Sequence, residues 1–414
     1  MTNDRILQLV EKQKDYVINC RRTIHRFAEV SGTEEKTSAF IQGEIEALGL
    51  PWEKVSKTGL MAVLETEKPG PHIALRADID ALPIPEEPNN LNGPRVCISD
   101  NPATSHACGH DAHSAMLLGV MKVMAENREE VSGTIYFCFE EGEENGGGIF
   151  QMLEALKKRQ VDAVWAIHVY ADLPSGKICV SPGPRMSGAA GIGIQLTGKG
   201  GHSSRPDLAV NPVVCAASMV TELASAWVNQ ITVGETVTLG IGSIQGGTVG
   251  NVIPDTATIL GSMRFFNPQE GKKALELVKN VARHTASIHR CQVEFLPRCQ
   301  ILADPVINDG KLAAIAQKGL KEILGEEAVC DCPPWYASES FHLYGKAYPS
   351  VMAHLGIQNP EYGSGAAHHN GLFDVDENVL PAGMAATLKF AAELAEAFQE
   401  EGGGGYQNNE TDNR

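Results

Sequence analysis

Ser105-His106-Ala107-Cys108-Gly109-His110-Asp111-Ala112-His113-Ser114 places three histidines, a cysteine and an aspartate within ten residues. Each of those side chains can bind a metal once suitably deprotonated. Gly109 lets the backbone bend so that Cys108 and His110 can face one ion. Four further polar groups recur along the chain: Asp78-Ile79-Asp80, Glu140-Glu141-Gly142-Glu143-Glu144, His168, and His368-His369. Imidazole, thiolate and carboxylate together are the donor set of a borderline-soft divalent ion. A carboxylate left over beside such a set is what activating a water molecule requires. Taken alone, a single Cys-x-His would more often be a loop with satisfied histidines and a buried thiol, so the elements around these groups matter.

Those elements alternate. Helical spacing covers residues 4–28 and 33–48, with Gly49 as the stop. Strand signals follow at 60–65 and at 73–77, the second running straight into Asp78. A loop rich in Pro, Asn and Gly (83–104) leads to the Cys108 turn. Met116, Leu117, Val120, Met121, Val123 and Met124 then recur at helical spacing. The apolar strand 134–139 ends in the two glutamate pairs, a helix covers 149–158, and the strand 163–167 delivers His168. Strand, loop and helix in turn predict an α/β fold, a mainly parallel sheet with helices on both faces. In such sheets ligands bind beyond the carboxyl ends of the strands. Asp78, Cys108, His110, Glu143, Glu144 and His168 all fall there.

The pattern changes after Pro184. A strand at 190–197, the glycine-rich Gly198-Lys199-Gly200-Gly201-His202, a helix at 213–228 capped by Asn211-Pro212, strands at 236–244 and 256–265, a helix near 269–288 and a strand near 292–296 give a β-α-β-β-α-β order. That is a small α+β, ferredoxin-like domain inserted into the first. The expected division is 1–186 and 299–400 for the catalytic domain, 187–298 for the insertion, and a disordered Gly-, Asn- and Glu-rich tail over 401–414. Length agrees: 414 residues exceed one typical core.

Composition removes several classes of function. A net charge of -17 and the lack of any basic run argue against nucleic-acid binding. No apolar run is long enough to span a bilayer, and the amphipathic N-terminus lacks the apolar core of a signal peptide. Ten cysteines without a disulfide-like framework fit a reducing cytoplasm.

The residues also carry a family resemblance. Arg21–Glu29, Ala74-Leu75-Arg76-Ala77-Asp78-Ile79-Asp80-Ala81-Leu82-Pro83, His106–His113, Gly200-Gly201-His202, Asn251-Val252-Ile253-Pro254-Asp255 and Phe373-Asp374-Val375-Asp376-Glu377 resemble, in order, motifs of the aminoacylase/carboxypeptidase superfamily of di-metal amidohydrolases. The chain is most similar to the branch of hippurate hydrolase and the plant auxin–amino-acid conjugate hydrolases. The resemblance implies cleavage of the amide of an N-acyl amino acid (acetyl, benzoyl, succinyl or indole-acetyl), with a carboxypeptidase or dipeptidase, or an inactive metal-binding scaffold, as alternatives.

It also implies roles. Cys108, as a bridging thiolate, with His110, Glu144, His168 and His369 would hold two divalent metals, zinc first and manganese, nickel or cobalt as substitutes. Glu143 would be the general base, and Asp78 would orient a ligand or Glu143. The family's usual Pro-Ala before the paired glutamates is Glu141-Gly142 here. Ungapped alignment from Gly133-Thr134 places the pair at Glu143-Glu144, with Glu140-Glu141 as the alternative. Spacing back from Phe373 selects His369 over His368. The family's Ser-Glu-Asp-Phe reads Ser338-Glu339-Ser340-Phe341, which points to an altered substrate pocket. His113 is expected to support a ligand. His25 and Arg26 either cap their helix or serve the site. The resemblance further implies a homodimer through the insertion, in which His202, with Asn251 beside it, stabilises the oxyanion at the partner's site. Arg264, at a strand end, is either a surface salt bridge or a clamp for the substrate's carboxylate.

Overall fold

The computed structural model describes residues 1–400, and the tail expected to be disordered over 401–414 lies outside the described residues. The chain forms two compact units. The first holds residues 1–183, 307–333 and 343 onward, and the second holds 184–306 and 334–342.

The first unit is mixed α/β around a seven-stranded sheet. In spatial order its strands are Trp52–Lys54, Leu60–Glu65, Thr134–Glu140, His72–Asp78, Ala163–Pro174, Ser350–Gln358 and Ile178–Cys179. The central four run parallel, and the pairings outside them are antiparallel. The sheet is therefore mixed, not mainly parallel as expected. Residues 55–59 are too few for a crossover, so Trp52–Lys54 and Leu60–Glu65 can only form a hairpin. Ile73, Ala74, Leu75 and Ala77 are all buried in the second parallel strand, as helices on both faces require.

Helix His110–Glu126 is buried almost all round and lies in the main core with Trp165, Phe137 and Leu388. The expected single helix over 4–28 is two, Asn3–Lys12 and Lys14–Phe27, broken at Gln13. The break lets Ile6, Leu9 and Val10 on one piece and Val17, Cys20 and Ile24 on the other all reach the core. Helix Glu35–Ala47 ends at Gly49, whose φ of 65° serves the stop.

In the second unit the elements run strand, helix, strand, strand, helix, strand: Gly188–Thr197, Pro212–Gln230, Val237–Gln245, Thr256–Phe265, Pro268–Ile288 and Gln292–Phe295. The strands pair antiparallel. Asn211 Oδ1 accepts from Val213 N at 3.0 Å and caps the first helix. Residues 334–342 return to this unit, where Ser187 N donates to the carbonyls of Trp335 and Ala337 at 3.0 and 2.9 Å. No helix among the described residues is long and apolar enough to cross a membrane.

Candidate metal centre

The polar groups of the first unit converge because strand ends, one helix start and one loop meet. Strand His72–Asp78 ends at a buried carboxylate. Asp78 Oδ1 accepts from His113 Nδ1 at 2.6 Å and Oδ2 from Arg76 Nη1 at 2.8 Å. Asp80, two residues on, accepts from His110 Nδ1 at 3.0 Å through Oδ1, and from Ser31 Oγ (2.6 Å) and Glu144 N (3.1 Å) through Oδ2. With its Nδ1 proton committed to Asp80, the neutral His110 ring would present the Nε2 lone pair. That atom is buried and has no hydrogen-bond partner.

Gly109 makes this turn possible. Its φ is 92°, and a Cβ there would run into the Val169 side chain. Cys108 on one side of the turn brings Sγ to 3.6 Å from His168 Nε2. His168 Nδ1 donates to Val169 O at 2.7 Å, so its Nε2 also carries a lone pair. The strand expected to stop at Ile167 continues to Pro174, and His168 points from within it. His369 has a left-handed backbone, φ 59°, and its amide donates to Ala107 O at 2.9 Å. That conformation costs a residue bearing a Cβ about 1–3 kcal/mol. His369 Nε2 stands 3.2 Å from Glu144 Oε1, and His110 Nε2 stands 3.9 Å from the same oxygen.

Four sets of donor atoms each fit within 4.8 Å: Cys108, His110 and His168; Cys108, Glu144 and His369; His110, Glu143 and Glu144; Asp78, His110 and His113. The first two share Cys108 and could hold two ions around it.

The alternatives in sequence have polar atoms engaged by other partners. Glu140 accepts from Arg76 Nη2 (2.8 Å) and Tyr344 Oη (2.6 Å). Glu141 Oε2 accepts from the Thr58 amide, from Thr58 Oγ1 at 2.7 Å and from Gly59 N at 3.1 Å. His368 Nε2 accepts from Ala171 N at 3.1 Å, and its ring packs against Phe373. His113 spends Nε2 on Val169 N at 2.9 Å and Nδ1 on Asp78.

Charge in the cluster is unbalanced towards the negative. Burial, then the Glu144 charge, pushes the Cys108 thiol well above its usual range, against His110. Burial pulls His110 down, but Asp78, Cys108 and Asp80 outweigh it and lift the imidazole well above its ordinary value. Burial opposes ionisation of Asp78, yet His110, His113 and Arg76 hold it well below the carboxylate range. Burial, then His113 and His368, keeps His168 neutral. A dication suits such a set: it would take Cys108 as thiolate and relieve the protons otherwise held on His110.

The other expected residues belong to the second unit. His202 lies on the exposed two-residue strand Gly201–His202, paired with Val252–Ile253. Asn251 O accepts from Ser203 N at 3.1 Å. Arg264, half-buried on strand Thr256–Phe265, donates to Met263 O at 3.2 Å. Asp80 is a functional residue that the motif spacing alone does not single out. The signal was available, because residues two apart in an extended segment share a face, so Asp78 and Asp80 aim at one place.

Residues 74–393 match peptidase family M20/M25/M40. The chain belongs to this family. Among its relatives is an Arabidopsis thaliana protein named IAA-amino acid hydrolase ILR1-like 2, 33% identical over 383 residues, which span 92% of this chain and 85% of that protein. Another is thermostable carboxypeptidase 1 of Saccharolobus solfataricus, 30% identical over 402 residues, covering 94% of this chain and 100% of the relative. A Bacillus subtilis structure described as a dinuclear metal-binding peptidase of family M20 superposes with a TM-score of 0.80. It is 29% identical and covers 93% of this chain and 99% of that one.

Proposed function

We propose that this M20 protein is a metal-dependent amidohydrolase that splits the amide of an N-acyl amino acid into a carboxylic acid and a free amino acid. The observation that carries the reading is the pair of donor groups sharing Cys108, with Glu143 grouped beside His110 and Glu144. In this reading Cys108, His110, Glu144, His168 and His369 hold two divalent ions. The buried thiol favours zinc, with manganese, nickel or cobalt as substitutes. When bound, the ions supply Lewis acidity at the scissile carbonyl and a lower pKa for the attacking water.

The chain's own residues do the rest. Asp80 fixes the His110 tautomer through Nδ1, and Asp78 holds His113, which anchors the Val169 amide next to His168. Glu143 accepts the proton from the attacking water and returns it to the nitrogen as the carbon–nitrogen bond breaks.

The second unit is assigned to pairing with its copy in a homodimer. Among the described residues, strand Val237–Gln245 pairs on one side only, and Val228 and Val252 are exposed. His202 of one protomer then serves the metal site of the other. Ser204 supports this: its amide and hydroxyl contact His202 Nδ1 at 3.1 and 2.8 Å. The amide can only donate, so the neutral ring keeps its proton on Nε2, where an oxyanion would need it. Asn251 stands beside it and Arg264 takes the substrate carboxylate. The cytoplasm is the compartment that suits ten free thiols.

The test is a panel of N-acetyl, N-benzoyl, N-succinyl and indole-acetyl amino acids, offered to metal-stripped and metal-reloaded protein. Release of free amino acid only by the reloaded form is expected. Cleavage confined to peptides would move the reading to the carboxypeptidase for which the Saccharolobus relative is named. For the dimer, inactive His202→Ala and Glu143→Gln proteins are mixed. Subunit exchange without recovered activity would overturn the role of His202 across the dimer.

A further inference from the structure

The left-handed backbone of His369 must be held by its surroundings, since φ 59° is unfavourable for a residue with a Cβ. It lies outside any helix or strand. The turn after it is closed locally, by Leu372 N on Asn370 Oδ1 at 2.8 Å and Phe373 N on Asn370 O at 2.9 Å. The long-range grip comes from Arg95. Its Nη2 donates to Gly371 O and its Nη1 to Phe373 O, both at 2.7 Å, while Nε donates to Glu87 O at 2.7 Å. Glu87 N adds a bond to the same Gly371 carbonyl at 3.0 Å.

The Arg95 side chain is 1% exposed, with Asp374 Oδ2 at 3.3 Å and Glu86 Oε1 at 3.5 Å as counter-charges. Asp374 Oδ1 in turn lies 3.2 Å from Arg21 Nη2, and Arg21 Nε donates to Asp111 Oδ2 at 2.8 Å. Asp111 follows His110. Two buried arginines thus tie the residues just after His369 to the first turn of the helix that starts at His110.

We propose that Arg95 is a positioning residue for His369: through the carbonyls of Gly371 and Phe373 it holds the strained backbone that aims His369 Nε2 at Glu144 and Cys108, and Arg21 fixes that segment against His110. This rests on the reading of His369 as a metal ligand. Arg95 acts through the chain, not at a donor atom. Bonding two carbonyls with two nitrogens of one side chain needs the planar fork of a guanidinium. A lysine would keep the charge beside Asp374 and Glu86 and lose the double grip.

The experiment compares metal affinities of wild type, His369→Ala, Arg95→Lys and Arg95→Ala by chelator competition with Zn²⁺, alongside the melting of each metal-free protein. In Arg95→Lys the weaker of two metal affinities should drop about 10- to 100-fold, the usual cost of losing an outer support. Metal-free melting should fall as well, since buried carbonyls lose their donor, so affinities are compared at a temperature where each metal-free protein is folded. Arg95→Ala should lose at least as much affinity. If Arg95→Lys binds both ions as wild type does while His369→Ala does not, the positioning role is wrong. If His369→Ala itself binds both ions normally, the ligand reading fails first. Should neither Arg95 variant fold, Gly371→Ala decides by the same affinities, because its Cβ would press to 2.7 Å from Pro85 O and displace the same segment.

Discussion

His110 and Asp111 are neighbours in sequence, yet they open onto two different buried polar regions. On the Asp111 side each carboxylate meets a cation. Asp111 faces Arg21 and His25, Glu86 faces His25 and Arg95, Asp374 faces Arg21 and Arg95, and Glu377 faces Arg21 and Arg22. On the His110 side Asp78, Glu143, Glu144 and the Cys108 thiol gather among imidazoles, and the guanidinium nearby, Arg76, is turned to Asp78 and Glu140. His110 Nε2 and Glu144 Oε1 stay buried without a hydrogen-bond partner. Burying charge is costly unless it is paired. The first region is completed by the chain itself, so it works as a wall. The second meets its carboxylates mainly through His110, His113 and His369, imidazoles that a divalent ion can take over as ligands.

Removing the shared donor should break this contrast most. Cys108→Ser replaces a group that can become thiolate with one that stays protonated at neutral pH. Metal content should fall, and turnover should drop to background. Full metal occupancy with wild-type rates would remove Cys108 from the centre. Next in size is Glu143→Gln, which should keep its metals and lose about 10²- to 10⁴-fold in kcat, because an amide cannot accept the proton of the attacking water. Metal analysis beside single-turnover rates distinguishes it from Glu144→Gln, expected to weaken metal binding instead.

Glu141→Gln sharpens the comparison from the other side. Glu141 sits only two residues before Glu143, but its carboxylate is tied to Thr58 and Gly59. Burial raises its pKa, and the Thr58 bonds more than offset that. Its loss should therefore appear as about 1–3 kcal/mol of stability, read by denaturant unfolding, with kcat unchanged. A Glu141→Gln protein that folds normally, keeps its metals and is inactive would mean that the wrong glutamate pair has been assigned to the chemistry.

What could be read from sequence was local. Cys108-Gly109-His110 advertises itself because a glycine between two donors is needed for both to face one point. Glu143 and His369 could be favoured over Glu140 and His368 only by counting from neighbouring motifs, since identical side chains sit next to each pair. The paired wall was invisible. Arg21 meets Glu377 across 356 positions, and no periodicity reports such a contact. The second role of the Asp78-Ile79-Asp80 segment was missed for a related reason: the alternation says that the two carboxylates share a side, but only packing decides that Asp80 takes His110 and Asp78 takes His113. The antiparallel edge strands were hidden because a short apolar strand reads alike in either direction, leaving connection length as the only clue.

A last effect, on stability alone and visible only as a change with pH, probes the paired wall. Burial and the Arg21 charge push the His25 imidazole down, but hydrogen bonds to Asp111 and Glu86 overcome them and raise it to about 9. His25 Nδ1 lies 2.8 Å from Asp111 Oδ2 and Nε2 lies 2.9 Å from Glu86 Oε1, so the doubly protonated ring satisfies both carboxylates. A folded pKa above the unfolded value of about 6.5 means that the stabilisation is complete below pH ~6.5. It then declines as the pH rises and is gone once the pH has passed the folded value. The shift corresponds to roughly 3 kcal/mol between those limits. The metal-loaded protein is the one to use, because a bound metal fixes the protonation of His110, whose pKa is also raised. Wild type should lose stability from pH 6.5 to 9 relative to His25→Gln, which has no proton to release there. The difference between the two unfolding curves isolates His25 from the thiols that begin to ionise in the unfolded chain near the top of the range. Parallel curves would mean that His25 is neutral at pH 7 and that the wall is held by its arginines alone.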